Sequence, residues 1–402
     1  YVTLSGVENV NVRVLAGTAD FNAAGWSGVS NLSNTASMVD TSMNVSALSA
    51  STKVTLVGRT DITADFSNTT TASVSVGIIG TGVYDTTATT LGSASANATA
   101  NINVNGNSDD LIDSISVDLQ GSALARIEAG SAAKTYTIIG SGNAVLVTDD
   151  TITSFNAAAA KGNLDVTFSG ASDLTIVGGA GNDTFRLGTT ISNSDSINGG
   201  AGTDAVTLTI GGFNRDLRAS NVESATVTFS EAAGGTLNAS GADISSYSLA
   251  AGTAGNAASI SQLVAGAIIT LDDDDLGNVT LDYVSGAAST AVNLGSATGA
   301  VAIDTLAFTD VAAVTIRSIA GSAAAGVTIG TATFDTSTKS VAISTSGGEA
   351  DLTLGTTNTD GSLGGATSLT VTSNGSAGIT FNALDIGGGT ALANVIVSAN
   401  GS

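Results

Sequence analysis

The sequence predicts an all-β protein: a β-solenoid or a stack of short β-strands, with little helix. Three observations carry that expectation. Short runs of alternating β-branched residues recur along the whole chain. Gly, Asn, Asp and Ser clusters separate them. The apolar content comes from small and aliphatic side chains, with aromatics at only 4%.

The strand signal comes first. NVNVRV (9–14), KVTLVG (53–58), ASVSVGI (72–78), KTYTII (134–139), DAVTLTI (204–210), SATVTF (224–229), AAVTIRSI (312–319), KSVAIST (339–345), SLTVTS (368–373) and NVIVSA (394–399) all alternate with period two. That period places successive side chains on opposite faces of a strand. Only SFNAAAAKGN (154–163) reads as one or two helical turns, stopped by Gly162. The chain has no Pro, as expected where nearly every backbone N–H enters a ladder.

The breaks between runs suggest units added one after another. LSGVENVNVRV (4–14) and RASNVESATVTF (218–229) share an apolar residue, a Glu, two spacers and then a strand. The stretches 48–67, 334–355 and 363–384 share a Ser/Thr turn, a β run, a polar turn and a second β run. Such units read as rungs or hairpins around a narrow interior of Ala, Val, Thr and Ser, too tight for large aromatics. A string of immunoglobulin-like sandwiches is the competing reading. It lacks one buried Trp per module, since Trp26 is the only Trp. Three regions are expected: 1–150 and 231–402 as β-rich repeats, and 151–230 as a calcium-binding solenoid.

Composition bounds the function. There is no Cys and no His in 402 residues. Disulfides, thiol catalysis, serine triads and His-bearing zinc hydrolase sites are therefore excluded within this chain. Asp and Glu total 34 against 11 Lys and Arg, a formal net charge of −23. Such a surface repels phosphate backbones, so nucleic acid is not an expected partner. It suits hard divalent cations, above all calcium. No apolar run reaches the ~18 residues of a membrane span, so membrane insertion is not expected. Tyr1 opens within a strand pattern and no signal peptide precedes it, so the sequence reads as a piece of a longer or processed polypeptide.

Residues 178–208 carry the chemistry. GGAGNDTFR (178–186) and GGAGTDAVT (199–207) both match the calcium-binding nonapeptide G-G-x-G-x-D-x-U-x, with Phe185 and Val206 at the large apolar position. Gly178, Gly179 and Gly181 are expected to adopt positive φ and turn carbonyl oxygens inward, with Asp183 beside them. Gly199, Gly200, Gly202 and Asp204 repeat the set. The two blocks lie 21 residues apart, not a multiple of nine, so 187–198 reads as a degenerate turn with Asn193 or Asp195 as its acidic element. One or two Ca2+ ions are expected, held by oxygens of neighbouring turns. Weaker acidic candidates are Asp272–Asp275, the stretch 105–113, and Asp149 with Asp150. Arg186, Arg215 and Arg218 are expected to pair with Asp216 or Glu223.

These blocks, the GVEN and NVES strand starts and the Thr/Ala/Gly/Val bias resemble the RTX-type surface-layer proteins of Gram-negative bacteria, which leave the cell by type I secretion. The diagnostic motif covers 178–208 alone. The resemblance implies a non-enzymatic extracellular protein at the cell surface that assembles with copies of itself into a calcium-dependent lattice. It also implies a lipopolysaccharide-binding N-terminal region and a C-terminal secretion signal, neither of which is recognisable here. An RTX adhesin, or an extracellular filament or matrix subunit, shares the composition.

Overall fold

The computed structural model describes residues 2–35, 37, 41–57, 61–66, 72–79, 100–105, 112–129, 134–148, 151–170, 173–232, 234–271, 276–295, 301–319, 326–345, 351–357, 366–374, 377–384 and 393–400. Among them there is no helix, and hence none long and apolar enough to cross a membrane. The protein is all-β, and its strands are parallel and stack coil upon coil as a β-solenoid. The chain divides into two compact units, Tyr1–Ala205 and Val206–Ser402.

Within the first unit one sheet runs through Asn9–Val12, Asn31–Asn34, Lys53–Val57, Ala72–Ile79, Ile112–Gln120, Thr135–Gly140, Ser154–Ala160 and Thr175–Val177. A second face includes Asn143–Val147, Leu164–Thr167 and Thr184–Gly188. Register follows from the alternating pattern, because a slip of one residue would turn every apolar side chain outward. Val10, Leu32, Val54, Val76, Val117 and Ile138 thus fall in one column, and all but Val10 are fully buried. Burying each such side chain stabilises the coil by roughly 1.5–3 kcal/mol.

The second unit repeats the plan. Ile260, Leu281, Phe308 and Phe334 form one interior column. The last two rings lie stacked, with centroids 5.5 Å apart. On its other face Ile316, Ile343 and Val371 align.

Two expectations need correction. Residues 154–163 are not helical: Ser154–Ala160 is a strand paired with Thr135–Gly140, and Phe155, Ala157 and Ala160 point into the core. Ala157 and Ala160 fill inward positions beside Phe155, which meets Phe168 edge-on at 5.5 Å. Nor is the interior too narrow for aromatics. Tyr136, Phe155, Phe185, Phe229, Tyr247, Tyr283 and Phe308 are fully buried, while many Thr and Ser side chains lie on the half-buried outer face.

The interior phenols make a stability prediction. The Tyr283 hydroxyl is hydrogen-bonded to Thr290 Oγ1, which donates to the Ala267 carbonyl at 3.0 Å. The buried Tyr247 hydroxyl makes no hydrogen bond within the protein. Desolvation by burial pushes both phenols well above the ordinary tyrosine range. Tyr247→Phe removes an unsatisfied group and should stabilise the second unit by ~1 kcal/mol, whereas Tyr283→Phe should destabilise it by a similar amount. Urea denaturation of the two variants checks this; shifts of the same sign would refute it.

Candidate cation-binding corner

The two GGAG blocks occupy one corner on successive coils. The first joins Thr175–Val177 to Thr184–Gly188, and the second follows Ser196–Asn198. Their spacing of 21 residues is therefore one whole coil. The stretch 187–198 between them supplies the rest of that coil, including Ser196–Asn198, which pairs with Thr175–Val177.

In the first block glycine is required for a different reason from the one expected. Left-handed backbone occurs at Gly200 (φ 104°) and Gly202 (φ 127°), but not at Gly178, Gly179 or Gly181. What these three need is room. A Cβ on Gly178 would stand 1.9 Å from the Gly199 carbonyl oxygen, one on Gly179 2.6 Å from that of Ala160, and one on Gly181 2.4 Å from that of Gly162. Coil lies directly on coil, and Gly178 N donates to Asn198 O at 2.7 Å while Ala201 N donates to Gly179 O at 2.9 Å.

The same corner extends to coils that the sequence reading passed over. A Cβ on Gly162 would stand 2.2 Å from Gly142 O, and one on Gly202 2.2 Å from Gly181 O. Beside this glycine column runs an asparagine column. Asn143 Oδ1 accepts from Asn163 N (2.7 Å), Asn163 Oδ1 from Asn182 N (2.8 Å), and Asn182 Oδ1 from Thr203 N (2.9 Å). The signal lay in the sequence: SGNAV (141–145), KGNLD (161–165), AGNDT (180–184) and AGTDA (201–205) are one motif repeated at coil length. Searching for a nonapeptide period hides it.

The next position in that motif is Ala144, then Leu164, then Asp183 and Asp204. Both aspartates are 1% exposed. Asp183 Oδ1 accepts from Leu164 N on the coil before (2.9 Å), and Oδ2 from Gly179 N in its own turn (2.8 Å). Asp204 Oδ1 accepts in turn from Asp183 N (2.7 Å). Burial raises the Asp183 carboxyl, the Gly179 and Leu164 amides lower it, and the Asp204 charge raises it; the outcome is about 6. Two buried carboxylates on adjoining coils thus face one corner rich in carbonyl oxygens.

Asp195 lies elsewhere, in the turn between Thr184–Gly188 and Ser196–Asn198. It is 3% exposed. It accepts from Leu174 N and from Ser192 N, both at 2.8 Å, and Ser192 Oγ links it to Asp173. Among the described residues no three acidic side chains gather to hold a metal. A calcium ion takes 6–8 oxygens. Asp183 and Asp204 have the right chemistry, since each carboxylate oxygen keeps lone pairs beyond one amide bond. Any ion held there would need further oxygens from carbonyls or water to complete its shell.

The pairing of Arg186 differs from expectation. Arg186 grips Asp165 on the preceding coil through two bonds, Nε–Oδ1 at 2.7 Å and a second guanidinium nitrogen to Oδ2 at 2.9 Å. The parallel register brings position 186 beside Thr167 and so near Asp165 on the outer face. The Arg215 guanidinium lies over the Phe213 ring, 5.6 Å from its centroid. Asp272–Asp275, Asp109, Asp110, Asp149 and Asp150 lie outside the described residues. No family model, curated protein or solved structure matches this chain.

Proposed function

We propose that this chain is a structural, non-catalytic protein of the bacterial cell surface, which assembles with copies of itself into a calcium-dependent surface layer. The observation that supports it best is the stacked corner: Asp183 and Asp204, buried on adjoining coils and joined through the Asp183 amide. A divalent ion there offsets two like charges held out of water and clamps coil to coil. Copies carrying −23 each repel edge to edge, and bound calcium removes part of that charge. Extracellular calcium modules bind with dissociation constants of ~10⁻⁴ to 10⁻³ M. Such sites fill outside the cell and empty in the cytosol, so folding and assembly follow export.

Millimolar calcium is expected to produce ordered sheets in light scattering and electron microscopy, and a chelator to dissolve them. Asp183→Ala with Asp204→Ala should abolish both. If calcium leaves the chain dispersed and a host-cell surface binds it instead, it is an adhesin; if it grows fibres, it is a filament or matrix subunit.

A further inference from the structure

A second feature, remote from the Gly-rich corner in sequence, lies on the outer face of the first unit. Five consecutive strands, Asn9–Val12, Asn31–Asn34, Lys53–Val57, Ala72–Ile79 and Ile112–Gln120, form a groove of about 500 Å³ along their stacking direction. At ~4.8 Å per strand its length is roughly 19 Å. Small side chains make the floor: Ser33, Thr55 and Gly77 share one column. Gly77 has a specific task there. A Cβ on it would stand 2.9 Å from Lys53 Cε, so its absence lets Lys53 lie across the strand and reach Asp118 on the next, with Nζ to Oδ2 at 2.9 Å. Gln120 Nε2 donates to the other oxygen at 3.1 Å. Burial raises the Asp118 carboxyl, but these bonds lower it further, leaving it below the usual range and charged. Along the same groove stand the amides of Asn9 and Asn31 and the hydroxyl of Thr35. Beside the ion pair, Val57 and Ile79 form an apolar strip, with Ile79 41% exposed.

We infer that this groove binds a linear, uncharged oligosaccharide running along the coil stack. A carboxylate, an ammonium and amides in one row suit vicinal hydroxyls, which donate to Asp118 and accept from Lys53 or an amide. The Val57–Ile79 strip suits the C–H face of a sugar ring. An open groove five strands long fits a chain molecule better than a compact metabolite, which prefers an enclosed pocket. The backbone groups of the floor are committed to the parallel ladders, so an extended peptide finds no edge to pair with. Nucleic acid is disfavoured by the charge of −23.

The test is saturation-transfer NMR and calorimetry on the full chain with calcium present. The probes are the β-1,4-glucan, α-1,4-glucan and β-1,4-mannan tetrasaccharides. At least one is expected to bind with a millimolar or tighter dissociation constant. Lys53→Met should weaken it tenfold or more, as should Gly77→Val, which fills the floor; circular dichroism verifies that each variant is folded. The Asp183→Ala chain with calcium corner disabled should still bind, since the groove is independent of that site. Failure of all three tetrasaccharides, or undiminished binding by folded Lys53→Met, overturns the assignment.

Discussion

Gly202→Ala is expected to destabilise the first unit by roughly 2–6 kcal/mol, a large share of the ~5–15 kcal/mol that holds an ordinary domain folded. Two costs coincide at that residue. Its φ of 127° is a backbone conformation that L side chains rarely adopt, and strain of that kind costs ~1–3 kcal/mol. Its Cβ would also stand 2.2 Å from the Gly181 carbonyl oxygen, which forces the coils apart at a further ~1–3 kcal/mol of overpacking. Gly188→Ala separates the two. Gly188 also has positive φ, 54°, but a Cβ there meets nothing within 4 Å. It should cost only the ~1–2 kcal/mol of left-handed backbone. Urea midpoints of both variants, with hydrogen exchange at the Thr203 and Asp183 amides, give the comparison. Equal losses would show that close stacking of coils is not what demands glycine at 202.

The fold was legible because its two determinants are local. Alternation of Val, Ile, Leu and Thr fixes which face of each strand is buried, and Gly/Asn/Ser breaks fix where each strand ends. That parallel pairing joins coils and not hairpins was harder to see, because coil length varies. Equivalent positions lie 19 residues apart at Val166 and Phe185 but 28 apart at Val341 and Leu369. No fixed period emerges from such a chain. The Ala-rich run at 154–160 misled because alanine favours helix intrinsically, yet neighbouring strands on both sides override that preference. At the corner, Gly178–Asp183 and Gly199–Asp204 were visible as a motif, but the reason for most of their glycines was not. Close approach between coils depends on which residue lies above which, and sequence spacing alone does not give that. The asparagine column at 143, 163 and 182 escaped for the same reason, as did Lys53 reaching Asp118 from 65 residues away.

In the presence of chelator the first unit is expected to lose stability as pH rises from about 4 through 6, and Asp183→Asn to remove most of that slope. The Asp183 carboxyl titrates at about 6 in the folded chain, against 3.8 for an ordinary aspartate. Burial is the chief cause; the Gly179 and Leu164 amides oppose it, and the charge on Asp204 adds to it. Between those two values the folded state holds a proton that the unfolded state has released. Stability linked to this group is therefore complete below about pH 4 and lost as pH climbs through 6. At ~1.4 kcal/mol per unit the loss is at most about 3 kcal/mol. Calcium reverses the sign of the demand, because a hard cation selects the ionised carboxylate. At pH 7.5, calcium at ~100 times its dissociation constant should restore about 2.7 kcal/mol per filled site. The measurement is a set of thermal or urea midpoints at pH 4.5, 6 and 7.5, with chelator and with ~10–100 mM calcium, about 100 times the dissociation constants of extracellular modules. In Asp183→Asn the neutral amide carries no charge to bury, so the chelator curve should flatten and the calcium increment should shrink. A slope that persists in Asp183→Asn would place the titrating group elsewhere. A calcium increment as large in that variant as in the parent chain would remove Asp183 from the site.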